Sequence, residues 1–137
     1  MAKAMATTVP KLVRMLNSVE ISGFVDGLQS ARTDLAVAFL RSIARHRESI
    51  WARAASAAKK IEAKGTQPIG DHLKPGDAPT PPAVEARSIT KKTSSSMGRS
   101  LGRLVANPTE HNLRVLGILA ENPGRAGDLA RVALGRR

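Results

Sequence analysis

SARTDLAVAFLRSIARHRESIWARAASAAKKIEA, residues 30–63, decides the fold of this chain. It contains neither Gly nor Pro, and its apolar residues recur at helical spacing. At 100° per residue, Leu35, Phe39, Ile43, Ile50, Ala54, Ala57 and Ile61 fall on one face, in phase with Phe24 and Leu28 upstream. Asp34, Arg41, Arg45, Glu48, Ala52 and Lys59 fall on the other. The pattern predicts one long amphipathic helix, about 50 Å at 1.5 Å per residue. Lys59, Lys60 and Lys64 suit the negative end of its dipole, and Gly65 is a natural stop.

Upstream, Thr8 or Val9 before Pro10 reads as a helix start, and Leu12, Met15, Leu16 and Val19 repeat at helical spacing. A short first helix over residues 10–20 is expected, ended by Ile21-Ser22-Gly23. Ten residues of helix reach about 15 Å. Folded back, such a helix leaves much of the long apolar stripe uncovered, so Leu35, Phe39, Ile43, Ile50 and Ile61 are expected to form a face for partner protein, a second copy included.

Downstream, residues 65–88 hold five of the eight prolines and no periodicity, as an extended linker would. Pro79-Thr80-Pro81-Pro82 meets the minimal PxxP pattern, a match that arises often in such segments. Residues 89–137 read as a small helical module. A Ser of 94–96 caps a helix with Met97, Leu101, Leu104 and Val105. Asn107-Pro108-Thr109-Glu110 starts a second, with Asn107 as cap, carrying Leu113, Val115, Leu116, Ile118 and Leu119. Asp128 caps a last one with Leu129, Val132 and Leu134. The expected organisation is a helical N-terminal module (1–64), a Pro/Gly-rich linker (65–88) and a basic helical module (89–137).

Residues 113–135, Leu-Arg-Val-Leu-Gly-Ile-Leu-Ala-Glu-Asn-Pro-Gly-Arg-Ala-Gly-Asp-Leu-Ala-Arg-Val-Ala-Leu-Gly, resemble the opening two helices of winged helix-turn-helix repressors. The resemblance stops short of the recognition helix and wing, and implies a small DNA-binding regulator as an alternative function.

Composition supports an all-α fold. Ala supplies 21 of 137 residues, and the aromatics are Phe24, Phe39 and Trp51 alone. Ala favours helices, whereas strands want β-branched and aromatic residues. With so few large side chains the core is expected to be thin, and stability to come partly from a partner. The absence of Cys excludes disulfide scaffolds, thiolate metal sites and cysteine nucleophiles. No apolar run approaches the ~18 residues of a membrane span, and the start has no long apolar segment of a secretory signal. A cytoplasmic or virion location is expected.

Charge points to function. The net formal charge is +11, from 22 Lys and Arg against 11 Asp and Glu. Residues 1–63 carry +5, residues 64–88 carry zero and residues 89–137 carry +6. Two basic pieces about a neutral middle suit a large polyanion, most often nucleic acid. The candidate phosphate contacts are Arg41, Arg45, Arg53 and Lys59 on the long helix, Lys91, Lys92, Arg99 and Arg103 around a Ser/Thr cluster, and Arg136 and Arg137. A single Trp argues against base-stacking recognition of single strands, which needs several rings.

His46, His72 and His111 have no partner at metal-ligand spacing, no Gly-rich loop cradles phosphate, and no acid pair has catalytic spacing. No cofactor and no catalysis is expected. The leading expectation is a non-enzymatic basic component of a nucleoprotein assembly, a virion internal or minor structural protein first and a ribosome-associated protein next. It would bind nucleic acid non-specifically through phosphate and other subunits through its apolar face. A basic amphipathic helix at a membrane surface is a further alternative, weakened by the scarcity of aromatic anchors.

Overall fold

The computed structural model describes residues 11–47, 50–70 and 80–135, and among these the regular structure is all helix. A helical stretch over residues 11–15 (α1) is followed by α2 (Ser18–Ala31), α3 (Asp34–His46), α4 (Trp51–Lys64), α5 (Pro82–Thr90), α6 (Ser94–Ala106), α7 (Glu110–Glu121) and α8 (Arg125–Ala133). The all-α class is as expected. The first helix, expected over residues 10–20 and ended by Ile21-Ser22-Gly23, breaks instead at Leu16–Asn17, where Asn17 caps α2, and Ile21-Ser22-Gly23 runs inside α2. The arrangement differs in three further places.

First, the long helix is three helices. Ser30 and Ala31 close α2, and Arg32 then takes a left-handed conformation (φ 54°, ψ 33°). Thr33 starts α3 as its N-cap, accepting the Ala36 N–H at 3.0 Å. A second break falls after Arg47, whose backbone is extended, and α4 begins at Trp51. Residues 48–49 lie outside the described residues. α4 packs against α3, so Leu35, Phe39 and Ile43 share a core with Ala54, Ala57, Ala58 and Ile61. The alanines of α4 suit this pairing, since small side chains let two helix backbones approach. Phe24 of α2 meets Phe39 edge-on, ring centroids 6.3 Å apart, and both rings are fully buried.

This corrects the expected partner face. Leu35, Phe39, Ile43 and Ile61 are buried and Ile50 is half-buried. The stripe is covered by folding the helix on itself, which the fold-back of α1 alone could not do. The sequence carried no Gly or Pro to mark the turn, and α4 resumes close to the phase α3 left, so periodicity ran on across it.

Second, the stretch expected as an extended linker contains the start of a helix; residues 71–79 lie outside the described residues. Pro81 is extended (φ −55°, ψ 140°) and Pro82 opens α5, where its missing N–H is harmless. Ala86 and Ile89 are buried, and α5 packs on α7. Residues 65–70 are held as well. The Gln67 N–H donates to the Arg32 carbonyl at 2.7 Å, and Asn107 clamps Gly70 by two bonds of 2.9 Å, amide to carbonyl and N–H to amide oxygen.

Third, the caps are shifted. Thr93, not a serine, caps α6. Thr109, not Asn107, caps α7, accepting the Asn112 N–H at 3.1 Å. Asp128 sits in the first turn of α8, which starts at Arg125 after Gly124. Of the apolar residues expected for these helices, Met97, Leu101, Leu104, Val105, Val115, Leu116, Leu119 and Leu129 are buried, and Leu113, Ile118, Val132 and Leu134 are half-buried against the core. The start expected at residues 8–10 lies outside the described residues.

The most intimate contact joins α2 to α6. Each carries two glycines one turn apart, Gly23 and Gly27 on α2, Gly98 and Gly102 on α6. A β-carbon on Gly23 would lie 1.9 Å from the Ser95 carbonyl oxygen, and one on Gly98 would lie 2.1 Å from that of Glu20. At Gly102 the Phe24 carbonyl oxygen would stand at 2.5 Å. Backbone rests on backbone, which is what small residues at i and i+4 on both helices permit. Thr33 adds a buried bond across the same junction, its hydroxyl donating to the Ala106 carbonyl at 2.5 Å.

Candidate nucleic-acid interface

The arginines divide by what they touch. Four close helix ends. Helix C-termini leave carbonyls without intrahelical donors, and here guanidinium groups supply them. Arg47 donates to the Val13 and Leu16 carbonyls at 2.8 and 2.6 Å, fastening α1 to the end of α3. Arg32 reaches the Lys64 and Gly65 carbonyls at the end of α4. Arg131 donates to the Ala120 carbonyl at 2.7 Å, closing α7. Arg125 donates to the Met15 carbonyl and forms a fork with Glu20, its Nε and Nη2 each 2.9 Å from a carboxylate oxygen. None of the four was among the expected phosphate contacts, and sequence offered no sign of their role: the carbonyls served by Arg32, Arg47 and Arg125 lie 31 or more residues away, and Arg131 reaches back 11 residues to Ala120.

Glu20 is fully buried and completes a capping box with Asn17, each side chain bonded at 2.8 Å to the other's backbone N–H. The Arg125 fork holds its carboxyl below the ordinary carboxylate value; burial opposes this, and the Asn17 N–H helps.

Of the expected phosphate contacts, the fold brings three into one groove. Arg41 and Arg45, one turn apart on α3, face Lys59 of α4 across a cleft of about 310 Å³ lined also by Ala44, Ala55 and Ala58. Arg41 pairs with Glu62. All three cations are exposed. The groove exists because α3 and α4 form a hairpin: on a single straight helix Lys59 would lie far from Arg41 and Arg45.

Arg53 leaves this group. It lies toward α2, donating to the Ser22 hydroxyl at 2.6 Å and to Asp26 at 2.5 Å. Arg99 of α6 approaches the other oxygen of Asp26 at 3.7 Å, and Arg103 is exposed one turn further along. Lys92 donates to the Ser100 hydroxyl at 2.9 Å, and Lys91 is exposed at the end of α5. Arg136 and Arg137 lie outside the described residues. The basic residues thus form an α3/α4 groove, a second face over α2, α4 and α6, and isolated cations near the start of α6.

The histidines are not brought together. His46 is exposed at the end of α3, His111 contacts Glu85 at 2.7 Å, and His72 lies outside the described residues. Among the described residues no three His, Asp or Glu side chains are grouped to hold a metal ion. α7 and α8 form a tight pair, a β-carbon on Gly127 falling 2.0 Å from the Asn122 carbonyl oxygen. Both described arginines of α8, Arg125 and Arg131, bond to other parts of the chain. Among the described residues no helix is long and apolar enough to cross a membrane.

No protein-family model, curated protein or solved structure matches this chain.

Proposed function

We propose that this protein is a non-enzymatic, basic component of a nucleoprotein assembly that holds nucleic acid by its phosphates. One observation carries the reading: Arg41 and Arg45 of α3 and Lys59 of α4 line one groove whose other lining residues are alanines. Small side chains between cations let a phosphate backbone approach all three, and guanidinium forks suit phosphate oxygens. The net charge of +11 adds long-range attraction. Such a groove offers no code for base edges, so binding is non-specific. The interior of a virion is the first setting to examine, and the ribosome the second.

The test is a titration of labelled duplex DNA and RNA across a range of salt. Affinity falls steeply with salt and ignores sequence. Replacing Arg41, Arg45 and Lys59 together by Gln lowers the slope of log affinity against log salt by about 2 to 3. A triple variant that binds like the parent overturns the assignment to this groove. A sequence-specific footprint would favour the regulator reading instead.

A further inference from the structure

Trp51 is the only tryptophan of the chain, and it is 55% exposed. It sits at the first position of α4, beside a groove of about 560 Å³ that it lines together with Ile50, Arg53 and the α2 residues Ser18, Ile21 and Ser22. Arg53 is anchored to Ser22 and Asp26, and Arg99 approaches Asp26 from α6. The two arginine side chains are nonetheless 45% and 59% exposed. Arg103 follows Arg99 by one turn, about 6 Å along the helix. Trp51, two hydroxyls and Arg53 line the groove, Asp26 ties Arg99 to Arg53, and Arg103 extends the row by one turn of α6; Asp26 is the one carboxylate among these residues.

The chemistry of this face selects its occupant. A protein partner seated on Trp51 would have to bring both a pocket for the ring and carboxylates for the three guanidinium groups beside it. A duplex keeps its bases stacked on one another and has no base face to lay on an indole. An unpaired nucleotide has both parts needed, a π-face for the ring and phosphates for the guanidinium groups. We propose that this face binds single-stranded nucleic acid, one base stacked on Trp51 and the neighbouring phosphates on Arg53, Arg99 and Arg103. The inference rests on the phosphate-binding reading above and names the strand state that a second site of the same protein prefers. A sequence with one Trp argues against stacking of a strand on several rings; the fold instead sets that one ring beside arginines, so it takes one base and no tract while they take the phosphates, and the site tolerates any sequence.

Because Trp51 is the sole indole, its emission reports on this site alone. The full chain is titrated with an oligothymidylate of about 12 nucleotides, with a duplex of equal length and with vesicles containing phosphatidylserine. The oligothymidylate quenches the emission and the duplex does not. Trp51→Ala weakens single-strand binding roughly tenfold and leaves duplex binding unchanged, whereas Trp51→Phe retains most of it. Arg99→Gln with Arg103→Gln weakens single-strand binding and flattens its salt dependence. If the oligothymidylate binds without moving the emission, and Trp51→Ala binds it as tightly, this inference fails and the phosphate-binding reading stands. If neither nucleic acid binds, both fail. If only acidic vesicles shift the emission, the face is a membrane-surface face and the inference is wrong.

Discussion

Gly27 of α2 stands so close to Arg99 of α6 that a β-carbon on the glycine would lie 2.1 Å from the arginine carbonyl oxygen. The obstacle is backbone, which cannot swing aside like a side chain. Gly27→Ala must push the helices apart along the whole contact, and the expected loss is about 3 kcal/mol or more, at or beyond the upper end for overpacking. Gly117 provides the contrast. It lies within α7 with nothing within 4 Å of an added β-carbon, and Gly117→Ala is expected to stabilise by about 0.5–1 kcal/mol. Urea unfolding of both variants checks the pair; equal effects would contradict the close approach.

The Glu20–Arg125 fork makes stability depend on acid. The folded carboxyl titrates below its ordinary value of 4.5, so its contribution is complete above the unfolded value and is lost as pH falls through the folded one. Glu20→Gln is therefore less stable than the parent at pH 7, and the gap narrows below about pH 4.5. Arg125→Ala leaves a buried carboxylate with less support and is expected to cost about 2–3 kcal/mol, the modest figure reflecting an arginine that is 43% exposed. Thermal melts of the three proteins from pH 3 to 7 measure both effects.

Thr33 performs two tasks with one oxygen. It accepts from the Ala36 N–H and donates to the Ala106 carbonyl, in full burial. Thr33→Val keeps the shape and removes both bonds, at an expected cost of about 2 kcal/mol. Thr33→Ser keeps both and loses only a methyl group. A valine variant as stable as the serine one would show that neither bond contributes.

Asn107 is the clamp on residues 65–70. Asn107→Ala breaks both bonds to Gly70 while the Gln67 bond remains. The chain after Lys64 should then open more often, and limited trypsin digestion should cut there several-fold faster at little change in global stability. Unchanged cleavage would mean that the remaining contacts hold the segment.

What could be read from sequence was the inward-facing register. Phe24, Phe39, Ile43, Ile61, Leu101 and Leu116 were picked out by spacing and are buried. Spacing does not report where a helix stops when the next one resumes in phase, and so Arg32–Thr33 and the break after Arg47 passed unseen. A left-handed arginine is uncommon, and nothing local announces it. The glycine pairs are visible as four-residue spacings in two segments, but a glycine taken singly is only a cost to its helix. Arg41, Arg45 and Lys59 lie along one side of a straight helix in the sequence pattern; in the fold they meet because α3 and α4 form a hairpin. The role of Arg125 depends on a carboxylate 105 residues away, beyond any local pattern.

The glycine face of α2 has a consequence for how the chain is made. Its mate is supplied late: the Thr33–Ala106 bond at the same junction spans 73 residues. During synthesis, α2 can pack on α3 and α4 but must wait with one side bare until α6 emerges, and long-range closure of this kind is slow. A ribosome stalled before α6 should hold a nascent chain whose first helices are formed yet remain open to proteolysis.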